Sequence, residues 1–144
     1  MKRFLCLALF AAAATASAAD FRSVQESAAV LYDAPSRAAT PLFVVQRNYP
    51  LEVIVSLEAW VKVRDAAGAL TWIERKSLSD KRMVLVTAPV AEVRTRPEEG
   101  APVAFSVAQN VVLELVEPAQ SGWLRVRYVD GTTGYVRAAL VWGA

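Results

Sequence analysis

The sequence contains no histidine, and its one cysteine, Cys6, lies in an apolar N-terminal run. Histidine is the commonest general base, and with thiolates it supplies most transition-metal sites. No G-x-S-x-G motif is present, and no S-x-x-K motif precedes Lys62, Lys76 or Lys81, so activated-serine chemistry has no visible basis. We therefore predict a protein that is not an enzyme and that holds neither a metal nor a cofactor.

The N-terminal segment has the features of a secretory signal peptide. Lys2 and Arg3 precede an apolar run from Phe4 to Ala14, and residues 16–18 offer an Ala-Ser-Ala cleavage site. The run is shorter than the ~20 residues that a transmembrane helix needs. We expect residues 1–18 to be removed on export, which leaves a periplasmic or extracellular protein with no membrane span and no cysteine.

The charge of the predicted mature chain argues against one class of partner. The sequence has 16 basic and 14 acidic side chains, and two of the basic ones, Lys2 and Arg3, belong to the signal peptide. The remaining side chains therefore sum to zero charge. Because nucleic-acid binding depends on clustered Lys and Arg, we predict that the protein binds no nucleic acid.

The rest of the sequence repeats itself once. Matches at an offset of 62, then of 63 after a one-residue insertion, include Pro35 with Pro97, Phe43 with Phe105, Asn48 with Asn110, Trp60 with Trp123 and Gly68 with Gly131. The repeat predicts two domains, residues 19–82 and 83–144. Domains this small bury little surface alone, and no Pro/Gly/Ser-rich linker separates them. We expect them to be closely joined and to share an interface.

Each repeat has the pattern of β-strands. Leu51, Val53 and Val55 alternate with Glu52 and Ser56, which is the period of a half-buried strand. Asp130-Gly131 is a favoured tight turn between strands, and no segment after residue 18 has a sustained helical period. About five short strands in 60 residues predict an all-β fold of small barrels.

Several motifs resemble the bacterial SH3-like (SH3b) domain family. They are Trp60–Asp65 with Trp72-Ile73, and Trp123–Arg127 with Gly134–Val136. The resemblance implies two tandem SH3-like small β-barrels, with short helical turns at residues 76–78 and 138–140. It further implies a non-catalytic module that often targets cell-wall material or partner proteins. Thr71 departs from the family pattern, which usually has Gly there.

Recognition of proline-rich ligands is not expected. Residues 29–33 are similar to the ALYDY segment of eukaryotic SH3 domains, whose aromatic-lined groove binds polyproline helices. The Pro and Tyr that this groove uses are replaced by Arg137 and Leu140 in the second repeat, and Glu74 stands at the Pro position in the first.

Strand alternation gives a set of candidate binding residues. With Val61 and Val63 inward, Trp60, Lys62 and Arg64 point outward. The same alternation in the second repeat places Trp123, Arg125 and Arg127 outward. In the next strand of each repeat, Ile73 and Val136 point inward and leave Trp72 and Tyr135 outward. Three interpretations stay open: the Trp rings cover the edge of a core, they pack against the other barrel, or they form a ligand-binding surface.

A ligand-binding surface of this composition suits peptidoglycan. Aromatic rings stack on sugars or peptides, and Arg pairs well with carboxylates. Our first hypothesis is an exported, non-enzymatic module that binds peptidoglycan or its peptides. The alternative is a protein-interaction or scaffold module that docks onto an exported enzyme or another envelope protein.

Overall fold

The computed structural model describes residues 18–144, so the predicted signal peptide lies outside the described residues except for Ala18. The first seven strands are β1 (Phe21–Val24), β2 (Ala28–Tyr32), β3 (Pro41–Gln46), β4 (Pro50–Ser56), β5 (Trp60–Arg64), β6 (Leu70–Glu74) and β7 (Leu78–Ser79). The next seven are β8 (Met83–Val86), β9 (Val90–Arg94), β10 (Val103–Ala108), β11 (Val112–Gln120), β12 (Trp123–Arg127), β13 (Thr133–Arg137) and β14 (Val141–Trp142).

The strands form two seven-stranded sheets with the same topology. The order is β3-β2-β6-β5-β4-β1-β7 in the first sheet and β10-β9-β13-β12-β11-β8-β14 in the second. We call β1–β7 the first unit and β8–β14 the second unit. The prediction of an all-β fold in two tandem units is confirmed, whereas the boundaries 19–82 and 83–144 stay predictions.

Each unit encloses its own apolar core. Val61, Val63 and Ile73 are at most 2% exposed in the first unit, and they pack with Val24, Leu31 and Leu51. The second unit uses Leu124, Val126 and Val136 at the equivalent positions. The prediction that these apolar side chains point inward is therefore correct in both units. The residues that alternate with them lie on the outer face.

Two turns repeat between the units and set the strand register. Asn48 and Asn110 have φ values of 69° and 70°, in the left-handed region that Asn tolerates better than most residues. Gly68 and Gly131 have φ values of 89° and 90° in the hairpins that follow β5 and β12. The Asp-Gly turn predicted at residues 130–131 is thus present.

A short 3-10 turn follows the sixth strand of each unit, at Arg75–Ser77 and Ala138–Leu140. The Arg75 amide donates to the Ala59 carbonyl at 2.9 Å, and the Ala138 amide donates to Gly122 at 2.9 Å. These bonds hold the start of each 3-10 turn beside the loop before the fifth strand. Among residues 18–144, no helix is long and apolar enough to span a membrane.

The two units contact each other through an aromatic and cationic cluster. The Phe21 ring meets the Trp142 ring edge-on, with centroids 5.2 Å apart. The Arg82 guanidinium lies 5.5 Å from the Phe21 centroid and donates to the Gly143 carbonyl at 3.0 Å. Because Phe21 is 6% exposed, this contact buries apolar surface that a separate unit would leave in water, as the small size of each repeat led us to expect.

Candidate functional site

A cleft with a volume of about 640 Å³ lies in the first unit. Its walls are the β2–β3 loop, the β4–β5 loop and the 3-10 turn after β6, and Trp60 at the start of β5 lines it. The lining residues are Pro35, Ser36, Arg37, Glu58, Ala59, Trp60, Glu74, Arg75 and Lys76. The cleft therefore combines one large aromatic ring with charges of both signs.

Trp60 also belongs to an aromatic group on the outer face of the first unit. The Tyr32 ring contacts it edge-on, with centroids 5.6 Å apart. Tyr32 is paired across strands with Trp72, and Trp72 with Lys62. All four side chains are half-buried. The structure thus places three predicted site residues, Trp60, Lys62 and Trp72, on one face with Tyr32.

A three-residue ion cluster forms one wall of the cleft. Arg37 holds the Glu74 carboxylate through two hydrogen bonds, and its Nη2 lies 3.1 Å from Oε2. Lys76 Nζ lies 3.3 Å from the same carboxylate, whose side chain is 17% exposed. The Arg37 hydrogen bond, with a smaller effect of Lys76, lowers the pKa of Glu74 below its ordinary value. Glu74 in turn raises the pKa of Arg37.

Arg75 is held differently from the other two cations. Its Nε donates to the Glu58 carbonyl at 2.9 Å, and its Nη2 donates to the Leu57 carbonyl. Both acceptors belong to the backbone of the β4–β5 loop. Within residues 18–144, no carboxylate lies within ion-pair distance of Arg75.

The equivalent place in the second unit is more closed. Trp123 is 8% exposed, and the Arg137 guanidinium lies 4.7 Å from the centroid of its ring. Arg137 also pairs with Glu99, and the cleft beside them measures about 300 Å³. Alternation alone predicts an outward Trp123, but the ring is buried. The neighbouring Arg137 lies over the ring and is one of the side chains that cover it.

The other predicted residues of the second unit occupy a shallower depression. Arg125 and Tyr135 are cross-strand partners and, with Trp123, they line a space of about 230 Å³. Arg125 is paired with Glu117 at 2.9 Å, and this hydrogen bond raises the pKa of Arg125. The predicted residues of this unit are brought together, but the main cation among them already has a carboxylate partner.

Arg64 and Arg127 lie outside both clefts. Arg64 pairs with Glu52 at 3.1 Å on the neighbouring strand, and Arg127 pairs with Glu114 at 3.4 Å. The same pair therefore recurs at the same place in both repeats. This indicates a role for both arginines in the strand framework.

Strand alternation did not identify the charged residues of the cleft: Arg37, Glu58, Glu74, Arg75 and Lys76. Four of them lie in loops or turns, where a period-2 pattern carries no information. Alignment of the two repeats does contain a signal for two of these residues. Arg37 aligns with Glu99 and Glu74 aligns with Arg137, so the two copies carry the same ion pair with its charges exchanged.

The arrangement suits binding by stacking and ion pairing. Among residues 18–144, no group of three or more His, Cys, Asp or Glu is placed to hold a metal ion. The cleft offers an aromatic face, guanidinium donors and an ammonium, which are groups that recognise sugars, peptides and carboxylates.

One protein family matches the chain twice. The model of the family described as the bacterial SH3 domain matches residues 25–80 and again residues 87–143. These two segments correspond to the two units and cover more than half of the chain. The resemblance inferred from the Trp and Gly-Tyr-Val motifs is confirmed by this match. None of the curated proteins matches the sequence.

Three solved structures show similarity at low sequence identity. NlpC1 from Trichomonas vaginalis is 14% identical with a TM-score of 0.41, and the match covers 95% of this chain and 50% of that one. NlpC2 from the same organism is 13% identical with a TM-score of 0.40, over 87% and 48% of the two chains. An NlpC/P60 family protein from Bacillus cereus ATCC 10987 is 19% identical with a TM-score of 0.38, over 85% and 55%. This chain spans about half the length of each.

Proposed function

This chain belongs to the bacterial SH3 domain family, and from that premise we propose that it is an exported, non-enzymatic module that binds cell-wall peptidoglycan. The cleft of the first unit is the proposed binding site. Export rests on the signal-like residues 1–18, and the absence of a catalytic role rests on the missing histidine and mature cysteine. Peptidoglycan, as polymer or as its peptides, is the proposed ligand.

The observation that carries the proposal is the half-buried Trp60 ring at the edge of an open cleft. A ring in this position has a face available for a sugar or a peptide. The Trp60 ring is held in place by its edge-on contact with the Tyr32 ring. Arg37, Arg75 and Lys76 are exposed around it and can pair with carboxylates. Peptidoglycan contains both sugar rings and peptide carboxylates, so both parts of the cleft have a complementary group.

A sedimentation assay tests this proposal. The full-length gene is expressed so that the host can process the N-terminal segment, and the purified protein is mixed with insoluble peptidoglycan at low salt. We expect the wild-type protein to sediment with the polymer. A wild-type protein that stays in the supernatant would contradict the proposal.

Two variants locate the site within the same assay. Trp60→Leu keeps an apolar side chain beside Tyr32 but removes the stacking surface, and we expect it to bind at least several-fold more weakly. Tyr135→Leu makes a comparable change in the second unit and should bind like the wild type. If Tyr135→Leu abolished binding and Trp60→Leu did not, the site would lie in the second unit.

A charge exchange provides a second test of the same site. In the double variant Arg37→Glu with Glu74→Arg, the first unit acquires the ion-pair polarity of the second. We expect the new Arg at position 74 to lie over Trp60, as Arg137 lies over Trp123, and peptidoglycan binding to fall. The double variant keeps an Arg–Glu ion pair with its two residues exchanged, so we expect the fold to be retained. Circular dichroism measures whether it is.

A protein partner is the second candidate function, and one surface favours it. Strand β3 lies at the end of its sheet, and Leu42, Phe43 and Val44 on it are 46%, 50% and 68% exposed. An apolar edge strand has unpaired backbone groups that can accept another strand. Crosslinking in the native envelope distinguishes the two functions. Recovery of one stoichiometric protein partner with the wild type, and its loss with the Val44→Lys variant, would favour docking onto a protein.

A further inference from the structure

We propose that Arg75 is the anchor for a ligand carboxylate in the cleft of the first unit, so that ligands with a free carboxylate are preferred over their amides. The inference deepens the proposed function, because it names the chemical group of a cell-wall peptide that this cleft selects. It also assigns that group to one residue of the first unit.

Arg75 is oriented before any ligand arrives. Two of its five N–H donors are used on the carbonyls of Glu58 and Leu57. These acceptors fix the plane of the guanidinium and leave three donors for a ligand. Because an arginine that is already ordered loses little conformational freedom on binding, it is a better anchor than a free surface cation.

The charge of the cleft favours an anion. Arg37 and Lys76 share the single carboxylate of Glu74, and Arg75 has no carboxylate partner among the described residues. Glu58 is the other acidic residue that lines the cleft. Three cations against two carboxylates leave one positive charge in excess, and a planar guanidinium matches a carboxylate in charge and in geometry.

The second unit lacks this anchor. The residues that align with Arg75 and Lys76 are Ala138 and Ala139. Two other cations line its cleft, Arg94 and Arg137. Arg94 pairs with Glu92, and Arg137 is occupied by Glu99 and by the Trp123 ring. A carboxylate ligand therefore finds a guanidinium without a carboxylate partner in the first cleft and no guanidinium at the aligned position of the second.

Calorimetric titration with two forms of one ligand tests the inference. The probes are a soluble stem-peptide fragment of peptidoglycan with free carboxylates and the same fragment with its carboxylates amidated. We expect the amidated form to bind the wild-type protein about tenfold to a hundredfold more weakly, as for the loss of a charge-assisted hydrogen-bonded pair.

Two variants make the test specific to Arg75. Arg75→Gln keeps N–H donors for the loop carbonyls but removes the charge, and it should bind both forms with the same weak affinity. Lys81→Ala removes an exposed positive charge outside the cleft and should keep the wild-type preference. A preference for the free carboxylate that persists in Arg75→Gln would overturn the assignment.

The remaining outcomes separate this inference from the proposed function. If the wild-type protein binds both forms equally, peptidoglycan binding stands and the carboxylate anchor is overturned. If it binds neither form but sediments with the insoluble polymer, the carboxylate anchor is overturned and peptidoglycan binding stands. If it binds neither form and also stays in the supernatant, the proposed function fails, and a titration with benzoate and benzamide followed by NMR decides the anchor. Shifts at Arg75 and at the Trp60 indole with benzoate alone would support the anchor, and their absence would overturn it.

Discussion

The two units share a framework but differ where a ligand could enter. Both have the same strand order, an Asn with positive φ before the fourth strand, and an Arg–Glu pair between the fourth and fifth strands. The Trp that opens the fifth strand is also common to both. Its cross-strand partner is Glu74 in the first unit and Arg137 in the second, and the exposure of the ring follows this difference.

An electrostatic difference accompanies the two ring environments. The face of an aromatic ring carries negative charge density, so a guanidinium is attracted to it and a carboxylate is not. Arg137 therefore covers Trp123, whereas Glu74 turns to Arg37 and Lys76 and leaves Trp60 beside an open cleft. The exchanged ion pair therefore goes with a ring that a guanidinium covers in the second unit and a ring beside an open cleft in the first.

Replacement of each Trp by Ala should separate the two roles most strongly. Trp123→Ala removes a ring that is 8% exposed and should destabilise the protein by about 3 kcal/mol or more. Trp60→Ala removes a half-buried ring, so the loss of stability should be smaller. Urea unfolding of the two variants measures both effects, and equal losses would contradict the distinction between a covered and an open ring.

A methyl group at Gly134 should be the next largest perturbation. A Cβ at this position would lie 2.6 Å from Val93 Cγ1 and 2.8 Å from the Arg94 carbonyl oxygen, so strand β13 must move away from β9. We expect Gly134→Ala to cost about 1–3 kcal/mol of unfolding free energy, the usual range for overpacking.

The matched position in the first unit provides the control. Thr71 is 1% exposed and its hydroxyl has no hydrogen-bond partner among the described residues. Thr71→Val replaces this hydroxyl by a methyl of similar size and should stabilise the protein by about 1 kcal/mol. Both substitutions introduce a methyl group at aligned positions, but only Gly134→Ala adds volume, so they should change the urea midpoint in opposite directions. A midpoint that fell in both would contradict this account.

The smallest effect should be the pH dependence that Glu74 contributes. Its pKa is lowered in the folded protein, first by Arg37. The ionised carboxylate therefore stabilises the fold above its unfolded pKa of about 4.3, and this contribution is lost as the pH falls through the folded pKa.

Thermal melts of wild-type protein and Glu74→Gln measure this contribution. The difference in Tm should be constant from neutral pH down to about pH 5 and should close in more acidic solution. Arg37→Gln should show the same closing difference, because it removes the other half of the pair. A difference that grew on acidification would contradict the role of the pair.

The fold could be predicted from the sequence because its signals are local. Alternation around Val61 and Val63, the Asp-Gly turn and the repeat itself each reflect neighbours along the chain. The two 3-10 turns were also expected, with the first beginning one residue earlier than predicted. Burial of Trp123 was not predictable from alternation, since it depends on side chains of other strands and loops, among them Arg137.

The cleft of the first unit could not be predicted from the sequence. Arg37, Glu58 and Arg75 are distant in sequence and meet only because the loops between β2 and β3 and between β4 and β5 converge beside Trp60. Of the predicted site residues, Trp60 lines this cleft, and Lys62 and Trp72 lie on the adjoining face. Loop convergence has no period in the sequence, which is why the charged residues were not found.

An amide and indole chemical-shift titration of the wild-type protein with soluble peptidoglycan fragments tests the central claim most directly. The claim is that the open cleft of the first unit is the binding site and that the covered Trp of the second is not. We predict shifts at the Trp60 indole and at the Glu58, Ala59 and Arg75 amides, with the Trp123 indole unchanged. Shifts confined to Trp123 and Tyr135, or none at all, would contradict it.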